Sequence, residues 1–374
     1  MTTYGFAQAG DEQQLLDLAN MVFSMADAPT DFARIHPTVY GQPGFAELHA
    51  VARQEGRILA TAALKPVQVR LGAGESLPCG FIGTVCTHPR HEGQGHMRQL
   101  MRMLEAQGRE QGMALLVLGG QRQRYQHHGF EQVGTMLQEV VRRRNLAAVE
   151  DRGYAFVPLE EAAPPVVDAA YALYRKQVMV GERERTQFVP LLRTWQAQGV
   201  AVLAADEPVG YLCAKGEQLS ECVLADDARL PAVLKAWLAY RDMPQCTLTL
   251  PLHRTGAIDA LCMLAEEWQL SDSLMLRVLD WPAALGSLLR FAARHRPLPE
   301  GQAVLCIEDE GCYAITVQAG RVTVAPSDKM PDAVYTHRAA VRRLFSAQGC
   351  LTGERDALYG WLPLPFSLPA ADCF

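Results

Sequence analysis

The stretch from Thr84 to Leu118 constrains the fold of this chain more than any other part of its sequence. An apolar, strand-like run from about Cys79 to Cys86 leads into the loop HPRHEGQGH. Apolar residues then recur at i, i+3, i+4 and i+7 from Met97 to Leu104, which is the spacing of an amphipathic helix. After Gly112, the run from Ala114 to Leu118 is typical of a buried strand. Two strands joined by a crossover helix predict a parallel pair within a mixed sheet.

The segments on either side of this unit complete an α/β domain, which we place at residues 1–148. A helix is predicted from Asp11 to Met25, and strands are predicted from Glu47 to Ala52 and from Ile58 to Val69. A last strand is predicted from Phe130 to Val141. The sequence therefore predicts a mixed sheet with the strand–loop–helix–strand unit at its centre.

The middle of the chain, residues 149–285, repeats this order of elements in a weaker form. The run VAVLAADEPVGYLCAKG resembles HAVARQEGRILATAALK, since each is a strand, a tight turn and a second strand. A strand from Glu221 to Leu224, a helix from Leu230 to Tyr240 and a strand from Cys246 to Leu252 follow. We interpret this segment as a diverged copy of the first domain, with an unrelated α/β domain as the alternative.

The last segment, residues 286–374, has an α+β pattern. Short strands from Val304 to Ile307, Ala314 to Val317 and Val322 to Val324 predict an antiparallel meander, and a helix is predicted from Ala339 to Ser346. The final stretch WLPLPFSLPAADCF carries three prolines, which favour an extended and stiff tail over a helix.

Composition argues for a globular protein and against two classes of partner. The 374 residues suggest two or three domains, and 49% hydrophobic with 20% charged residues is an ordinary globular balance. A net charge of −6 offers no basic field for nucleic acid. No apolar run reaches the ~18 residues of a membrane span. We therefore expect a soluble protein with no nucleic-acid partner and no membrane partner.

The ten cysteines show no CxxC pair, and most lie in apolar runs such as AVLCI. In such runs a reduced cysteine behaves as a small hydrophobic residue. A framework of disulfides belongs to small secreted domains, so we expect free thiols and a cytoplasmic location.

The loop before the central helix has the features of an anion site. Gly93 and Gly95 let the backbone approach a ligand closely, and they precede a helix whose first N–H groups are free. The positive end of the helix dipole adds to this attraction. The sequence therefore predicts that a pyrophosphate binds at this loop.

The run TVCTHPRHEGQGHMRQLM resembles motif A of the GNAT acetyltransferases, which bind acetyl-CoA between two splayed parallel strands. The resemblance implies that Val85 and Thr87 offer backbone hydrogen bonds to the pantetheine arm and that the loop holds the pyrophosphate. Glu92 stands where the family usually has Arg or Gln, so we expect it to point outward while Arg98 supplies positive charge. The implied cofactor-binding residues are Val85, Cys86, Thr87, Glu92, Gly93, Gln94, Gly95, His96, Met97 and Arg98.

A second run, RYQHHGF, is similar to the Tyr-x-x-x-Gly-Phe element that follows motif A in that family. The resemblance implies that Tyr125 lies near the thioester sulfur and protonates the departing thiolate. An ordinary tyrosine, with a pKa of about 10, is protonated at neutral pH as a general acid must be. The alternative is a tyrosine that only packs.

The order of domains resembles the enhanced intracellular survival (Eis) family: two tandem GNAT-like mixed-sheet domains followed by a sterol-carrier-like α+β domain. That family's motif-A pattern is met by Pro89, Gly95, Met97, Arg98, Leu100 and Met101. The resemblance implies that the terminal carboxylate, here that of Phe374, enters the active site and accepts the proton of the amine. It also implies a homo-oligomer, a hexamer in that family.

These observations predict an acetyl-CoA-dependent N-acetyltransferase in which an amine attacks the thioester directly. The acceptor implied by the family is an amine, including aminoglycoside-like or polyamine-like compounds. Asp27, Phe32 and Asp372 are candidates for its binding pocket, although the two carboxylates are equally consistent with a solvated surface. The alternative is a lipid- or partner-binding protein that uses the sterol-carrier-like domain.

Two other kinds of chemistry are discounted. The histidines near the loop have no carboxylate or cysteine at ordinary ligand spacing, so we expect no metal; they are His88, His91, His96, His127 and His128. Cys86 lies in an apolar strand, where its pKa should rise, and this favours a structural role over a nucleophilic one. The second segment offers ADDARLP where the first has its glycines, so we expect no cofactor there.

Overall fold

The computed structural model describes residues 1–26, 28–353 and 355–374, and these form two compact units. The first unit comprises Met1–Gly134, Asp272–Phe366 and Cys373–Phe374. The second comprises Thr135–Ser271 and Ser367–Asp372. The three-domain division at 1–148, 149–285 and 286–374 stays a prediction, because the units are defined by packing and each draws on separate stretches of chain.

The regular elements are numbered in chain order. The strands are β1 (Thr3–Phe6), β2 (His49–Gln54), β3 (Arg57–Gly72), β4 (Glu75–Thr87), β5 (Leu115–Leu118), β6 (Glu131–Arg142), β7 (Tyr154–Pro158), β8 (Val180–Gly181), β9 (Gln198–Ala204), β10 (Glu207–Lys215), β11 (Gln218–Leu224), β12 (Gln245–Pro251), β13 (Glu267–Val278), β14 (Gly301–Ile307), β15 (Gly311–Gln318), β16 (Arg321–Pro326) and β17 (Ala333–Tyr335). The helices are α1 (Glu12–Ala26), α2 (Phe32–Ile35), α3 (Pro37–Tyr40), α4 (His96–Glu110), α5 (Arg122–Tyr125), α6 (Pro164–Tyr174), α7 (Arg185–Leu191), α8 (Leu230–Tyr240), α9 (Thr255–Leu261), α10 (Trp281–His295), α11 (His337–Phe345) and α12 (Ala347–Thr352).

The main sheet of the first unit has the strand order β1-β2-β3-β4-β5-β13. Its neighbours are antiparallel, except that β4 and β5 run parallel and are joined by α4. This confirms the predicted mixed sheet and its strand–loop–helix–strand unit.

Helix α4 packs on this sheet through the apolar stripe that the sequence predicts. Leu100, Met101 and Leu104 are buried in one core cluster with Leu64 of β3 and Leu116 of β5. Burial of each such side chain contributes about 1.5–3 kcal/mol, which outweighs the weak helix preference of a short isolated segment. The opposite face keeps arginines and glutamates, so the start of α4 is fixed at the edge of the sheet.

A second, four-stranded sheet in the first unit has the order β16-β15-β14-β17. Strands β14, β15 and β16 form the predicted antiparallel meander, and β17 adds a parallel edge. Helix α10, which the sequence reading missed, begins at the Asp280 N-cap and is largely buried. The likeness of this part to a sterol-carrier domain stays a prediction.

One pair of cysteines departs from the expectation of free thiols. Cys306 of β14 and Cys312 of β15 face each other across the antiparallel pair and form a disulfide. The two cysteines are six residues apart in the sequence, a spacing that does not by itself indicate a disulfide. The register of the β14–β15 hairpin is what places them opposite each other. Within the described part of the chain, the other eight cysteines are not joined by a disulfide.

The sheet of the second unit has the order β7-β9-β10-β11-β12-β6. Strands β9, β10 and β11 are antiparallel, and α8 then leads to β12, which runs parallel to β11. The order of strands and helix matches that of β2, β3, β4, α4 and β5 in the first unit, and the interpretation of this segment as a diverged copy stays a prediction.

The last strand of each sheet comes from an unexpected part of the chain. We predicted that 130–141 closes the first sheet, but Met136–Arg142 of β6 pairs with β12 in the second unit. The first unit is completed instead by Met275–Val278 of β13, which pairs with β5. Apolar alternation identifies a strand but not its neighbour, which is why the sequence favoured the partner nearest in the chain.

Candidate functional site

The pairing of strand β4 with its two neighbours becomes irregular at the point where the site begins. It pairs with β5 from Cys79 to Phe81, after which the two strands diverge. On the other side, the register with β3 shifts between Gly83 and Cys86, so the strand carries a bulge at Thr84. Thr84 has a φ of 48°, a conformation that costs a β-branched residue about 1–3 kcal/mol and that is often found at functional sites.

The gap between the strands opens into a cavity of about 1160 Å³. Helix α1 forms one wall through Val22, Phe23, Met25 and Ala26. All ten predicted cofactor-binding residues line the cavity, namely Val85, Cys86, Thr87, Glu92, Gly93, Gln94, Gly95, His96, Met97 and Arg98. The structure therefore brings these residues together around one space large enough for a cofactor arm.

The loop before α4 has the geometry of an anion site. Gly93 and Gly95 have φ angles of 73° and 81°, which only glycine adopts without strain, and Gly95 is the N-cap of the helix. A Cβ on either residue would meet no atom within 4 Å, so their outer side is open. The Glu92 side chain is exposed, and so is that of Arg98 at the third position of α4.

Three further arginines line the cavity, and the sequence reading missed them. They are Arg102 of α4, Arg124 of α5 and Arg277 of β13. Arg102 could have been found, because it follows Arg98 by one helical turn on the same face. Arg277 could not, since it is 179 positions further along the chain than Arg98 and reaches the site through the β5–β13 pairing. Against these four arginines the described lining has two carboxylates, Glu92 and Glu105.

Tyr125 lies behind the wall of the cavity, between the lining residues Arg124 and His127 in the chain. Its side chain is 6% exposed, and its ring packs against Gly120 and, edge to face, against Phe130. Burial raises the pKa of its hydroxyl, Arg124 opposes this shift, and the Cys86 thiol adds to it. Tyr125 is therefore protonated at neutral pH and is within electrostatic reach of a residue that lines the cavity.

Cys86 and His96 also contribute to the wall of the cavity. Burial raises the pKa of the Cys86 thiol to about 12, in the direction expected for an apolar strand, so the thiolate form is disfavoured. His96 begins α4, and its Nδ1 lies 2.9 Å from the Tyr4 hydroxyl. Burial lowers the pKa of His96, with His91 adding to the shift, so its ring favours the neutral form.

The terminal residue Phe374 is buried in the first unit beside the bulge of β4. A Cβ added to Gly83 would lie 2.7 Å from a carboxylate oxygen of Phe374 and 2.7 Å from its ring. The ring also contacts His36 and Tyr40, with centroids 5.9 Å and 6.0 Å away. The Tyr40 hydroxyl in turn bonds to the Thr84 hydroxyl. The terminal carboxylate therefore lies against the strand that lines the cavity.

The candidate acceptor residues fall in three different places. Asp27 lies outside the described residues. Phe32 is 2% exposed and packs in an aromatic cluster with Phe23 and Tyr40 instead of facing the cavity. Asp372 is buried in the second unit, where it accepts hydrogen bonds from Arg183 Nε (2.6 Å) and from the backbone N–H of Gly181 (2.8 Å). Its charge is therefore already paired with a guanidinium.

Two further features bear on metals and membranes. His88 and His91 stack edge to face at 5.6 Å, but the described residues include no group of three metal-ligating side chains placed to hold an ion. No helix in residues 1–26, 28–353 and 355–374 has the length and apolar character needed to cross a membrane.

The corresponding loop of the second unit is occupied by its own side chains. Asp226 caps the turn before α8 by accepting from the N–H of Ala228 at 3.0 Å. Asp227 pairs with Arg254 at 2.7 Å, and Arg254 also donates to the Cys222 carbonyl. A carboxylate thus lies where the first unit presents open glycines.

Comparison with known proteins agrees with this geometry. Residues 3–133 match the family model described as an acetyltransferase (GNAT) domain. No curated protein matches the sequence.

Solved structures share the fold at low sequence identity. A GCN5-related N-acetyltransferase from Anabaena variabilis has a TM-score of 0.72 at 19% identity, with 100% of both chains covered. One from Kribbella flavida has a TM-score of 0.69 at 16% identity, covering 100% of this chain and 98% of its own. Eis1 from Mycobacterium abscessus has a TM-score of 0.65 at 15% identity, covering 90% and 88%. Residues 3–133 of this chain therefore match a GNAT acetyltransferase domain, and the solved structures show the same fold.

Proposed function

We propose that this protein is an acetyl-CoA-dependent N-acetyltransferase that moves an acetyl group to an amine. The observation that carries the proposal is the cavity between β4 and β5, which joins the splayed strand, the open glycine loop and four arginines in one space. The match of residues 3–133 to the acetyltransferase (GNAT) domain supports it independently.

The residues present suit the parts of acetyl-CoA. The divergent end of β4, from Val85 to Thr87, pairs with β3 but no longer with β5, so its backbone groups on the β5 side are available to the amides of a pantetheine arm. The start of α4 offers free N–H groups and the positive end of its dipole to the pyrophosphate. Arg98 and Arg102 bring side-chain charge to the same phosphates, which offsets the outward-facing Glu92.

The chemistry we propose is direct transfer without a covalent enzyme intermediate. The neutral amine attacks the thioester carbonyl, a C–N bond forms, and the C–S bond breaks. The amine proton passes to the terminal carboxylate of Phe374, and the proton of the Tyr125 hydroxyl passes to the departing thiolate sulfur. The carbonyl oxygen that becomes negative is stabilised in this proposal by a backbone N–H of β4, whose pairing with β3 the bulge at Thr84 interrupts. Positioning and electrostatics then supply most of the rate.

We also propose an acceptor class, an Eis-like domain order and an oligomeric state for this chain. The acceptor is an amine of the aminoglycoside-like or polyamine-like kind, the chain is Eis-like, and it assembles as a homo-oligomer. The part from 286 to 374 has the α+β composition of a sterol-carrier-like domain, with a helix on a four-stranded sheet. The similarity in fold to Eis1 of M. abscessus is what supports this group of statements.

The proposal is tested by following thiol release from acetyl-CoA with protein that keeps its natural C-terminus. The acceptor panel contains aminoglycosides, polyamines, arylalkylamines and lysine peptides, and mass spectrometry identifies the acetylated product. We expect thiol release that depends on at least one amine and matches product formation. Absence of release with every amine, together with absence of acetyl-CoA binding, would overturn the proposal in favour of a lipid- or partner-binding protein.

A further inference from the structure

The turn that carries Tyr125, residues 121–131, is held by side chains from well outside the GNAT-type domain. We refer to these residues as the tyrosine turn. Arg338 of α11 donates from Nη2 to Gln126 Oε1 at 3.2 Å and to Glu131 Oε2 at 3.3 Å. Gln126 directly follows Tyr125 in the chain. A helix some 200 residues away in sequence therefore bonds to the turn immediately beside the proposed general acid.

Glu131 is the point at which these contacts meet. Its side chain is 3% exposed and accepts two hydrogen bonds from Arg122, at 2.5 Å and 2.9 Å. Burial opposes ionisation of the Glu131 carboxyl, but hydrogen bonds from Arg122, the N–H of Gln132 and Arg338 hold its pKa below the usual range. The two ends of the tyrosine turn, Arg122 and Glu131, are thus tied together by a buried carboxylate.

A second arginine holds the other side of the turn. Arg277 of β13 donates from Nη1 to the carbonyl of His128 at 2.7 Å and from Nη2 to Glu105 at 2.6 Å. Gly129 has a φ of 81°, and a Cβ there would collide with the Arg277 guanidinium. The glycine of the RYQHHGF run therefore makes room for this contact.

We propose that Arg338 is a positioning residue for Tyr125. Through Gln126 and Glu131 it fixes the tyrosine turn, and so fixes the distance between the Tyr125 hydroxyl and the leaving sulfur. This inference rests on the proposed function, because it requires Tyr125 to act as the general acid. Proton transfer is steep in distance, so a small displacement of the donor lowers turnover without removing the cofactor site.

The helix offers a matched control for this role. Arg338 is 40% exposed, so its loss leaves the core of the unit intact. Arg342, one turn further along α11, is also exposed and contacts Gln348 instead of the tyrosine turn. Arg338→Met and Arg342→Met remove the same chemical group from the same helix, and Arg338→Lys keeps a charge at the position.

The experiment measures kcat and the KM for acetyl-CoA in wild type and Tyr125→Phe, each with and without Arg338→Met. In the wild-type background we expect Arg338→Met to lower kcat on the order of tenfold, with KM within about twofold. In the Tyr125→Phe background we expect a further change of less than about twofold, since the group being positioned is already absent. Arg338→Lys should recover part of the loss, and Arg342→Met should match wild type.

The outcomes separate the inference from the proposed function. An equal loss of kcat from Arg338→Met in both backgrounds, or no loss in either while Tyr125→Phe is impaired, overturns the positioning role alone. A loss of the same size in Arg342→Met also overturns it, because the effect is then one of helix stability. Wild-type turnover of Tyr125→Phe removes Tyr125 from the mechanism and the inference with it.

Discussion

Tyr125 combines a buried ring with a hydroxyl that is within electrostatic reach of the cavity wall. Because burial raises its pKa, the hydroxyl keeps its proton throughout the neutral and mildly alkaline range. We expect Tyr125→Phe to lower kcat roughly 100-fold or more, the usual contribution of a general acid, while acetyl-CoA binding stays within about twofold. Steady-state kinetics and calorimetric titration measure the two quantities. Unchanged turnover would assign Tyr125 to packing alone.

Gly83 is the residue that leaves room for the terminal carboxylate. A Cβ there would lie 2.7 Å from both the ring and a carboxylate oxygen of Phe374, so we expect Gly83→Ala to displace the terminus and lower kcat strongly. Gly5→Ala is the matched control, since it is also a strand glycine and its Cβ would meet no atom within 4 Å. Turnover that falls equally in the two variants, or in neither, would contradict a role for the Phe374 carboxylate.

Glu139 of β6 is a buried carboxyl whose Oε2 has no hydrogen-bond partner among the residues that the structure describes. Burial raises its pKa to about 7, above the value of about 4.3 expected in the unfolded chain. The unfolded state therefore ionises first, and stability falls as the pH rises from about 4.3 through 7.

We expect Glu139→Gln to raise the melting temperature at pH 8 by a few degrees, roughly 2–4 °C for each kcal/mol gained, and to leave it nearly unchanged at pH 4. Thermal unfolding across this range provides the measurement, with exposed Glu207→Gln as the control. A stabilisation that is independent of pH would show that the Glu139 carboxyl is not the titrating group.

The loop before α4 provides both the glycine conformations and the free N–H groups that the proposed phosphate site needs. Gly95 has a φ of 81° and caps the helix, so Gly95→Ala strains the backbone by about 1–2 kcal/mol at the point where the N–H groups are free. We expect the KM for acetyl-CoA to rise on the order of tenfold, which corresponds to about 1.4 kcal/mol, with a smaller effect on kcat.

Gly74→Ala is the matched control for that substitution. It has a similar φ of 76° and equally open surroundings, but it lies in the β3–β4 turn. An equal rise of KM in the two variants would mean that the change reports backbone strain and not the binding of phosphate.

The sequence predicts elements well where one local pattern decides them. Helix α8 runs from Leu230 to Tyr240 as predicted, and β4, α4 and β5 follow the predicted order. A local sequence pattern does not predict which distant strand or helix an element packs against. Strand β6 pairs with β12 and strand β13 pairs with β5, and both pairings join segments that are far apart in the sequence. The burial of helix α10 likewise depends on packing against distant parts of the chain.

The candidate site likewise contains residues that a local pattern predicts and residues that only the folded chain brings together. The ten residues of the loop and strand were predicted together because they are consecutive or nearly so. Arg277 and Arg338 were not, since each reaches its position by a long-range pairing or packing contact. Asp372 was a candidate for the acceptor pocket or a solvated surface, whereas a buried guanidinium balances its charge, and the sequence alone does not reveal such pairs.

Charge and the repeated order of elements are both unevenly distributed along the chain. The chain carries a net charge of −6, yet four arginines surround the cavity of the first unit. The second unit repeats the order of strands and helix, but the Asp227–Arg254 pair occupies the loop that corresponds to the glycines. We therefore propose one acetyl-CoA site in each chain.

Calorimetric titration of acetyl-CoA into the full-length protein tests this claim most directly. We predict saturable binding with a stoichiometry near one per chain, weakened in Gly95→Ala and preserved in Gly74→Ala. Absence of binding, or a stoichiometry near two that Gly95→Ala leaves unchanged, would contradict the assignment of the cofactor to the cavity between β4 and β5.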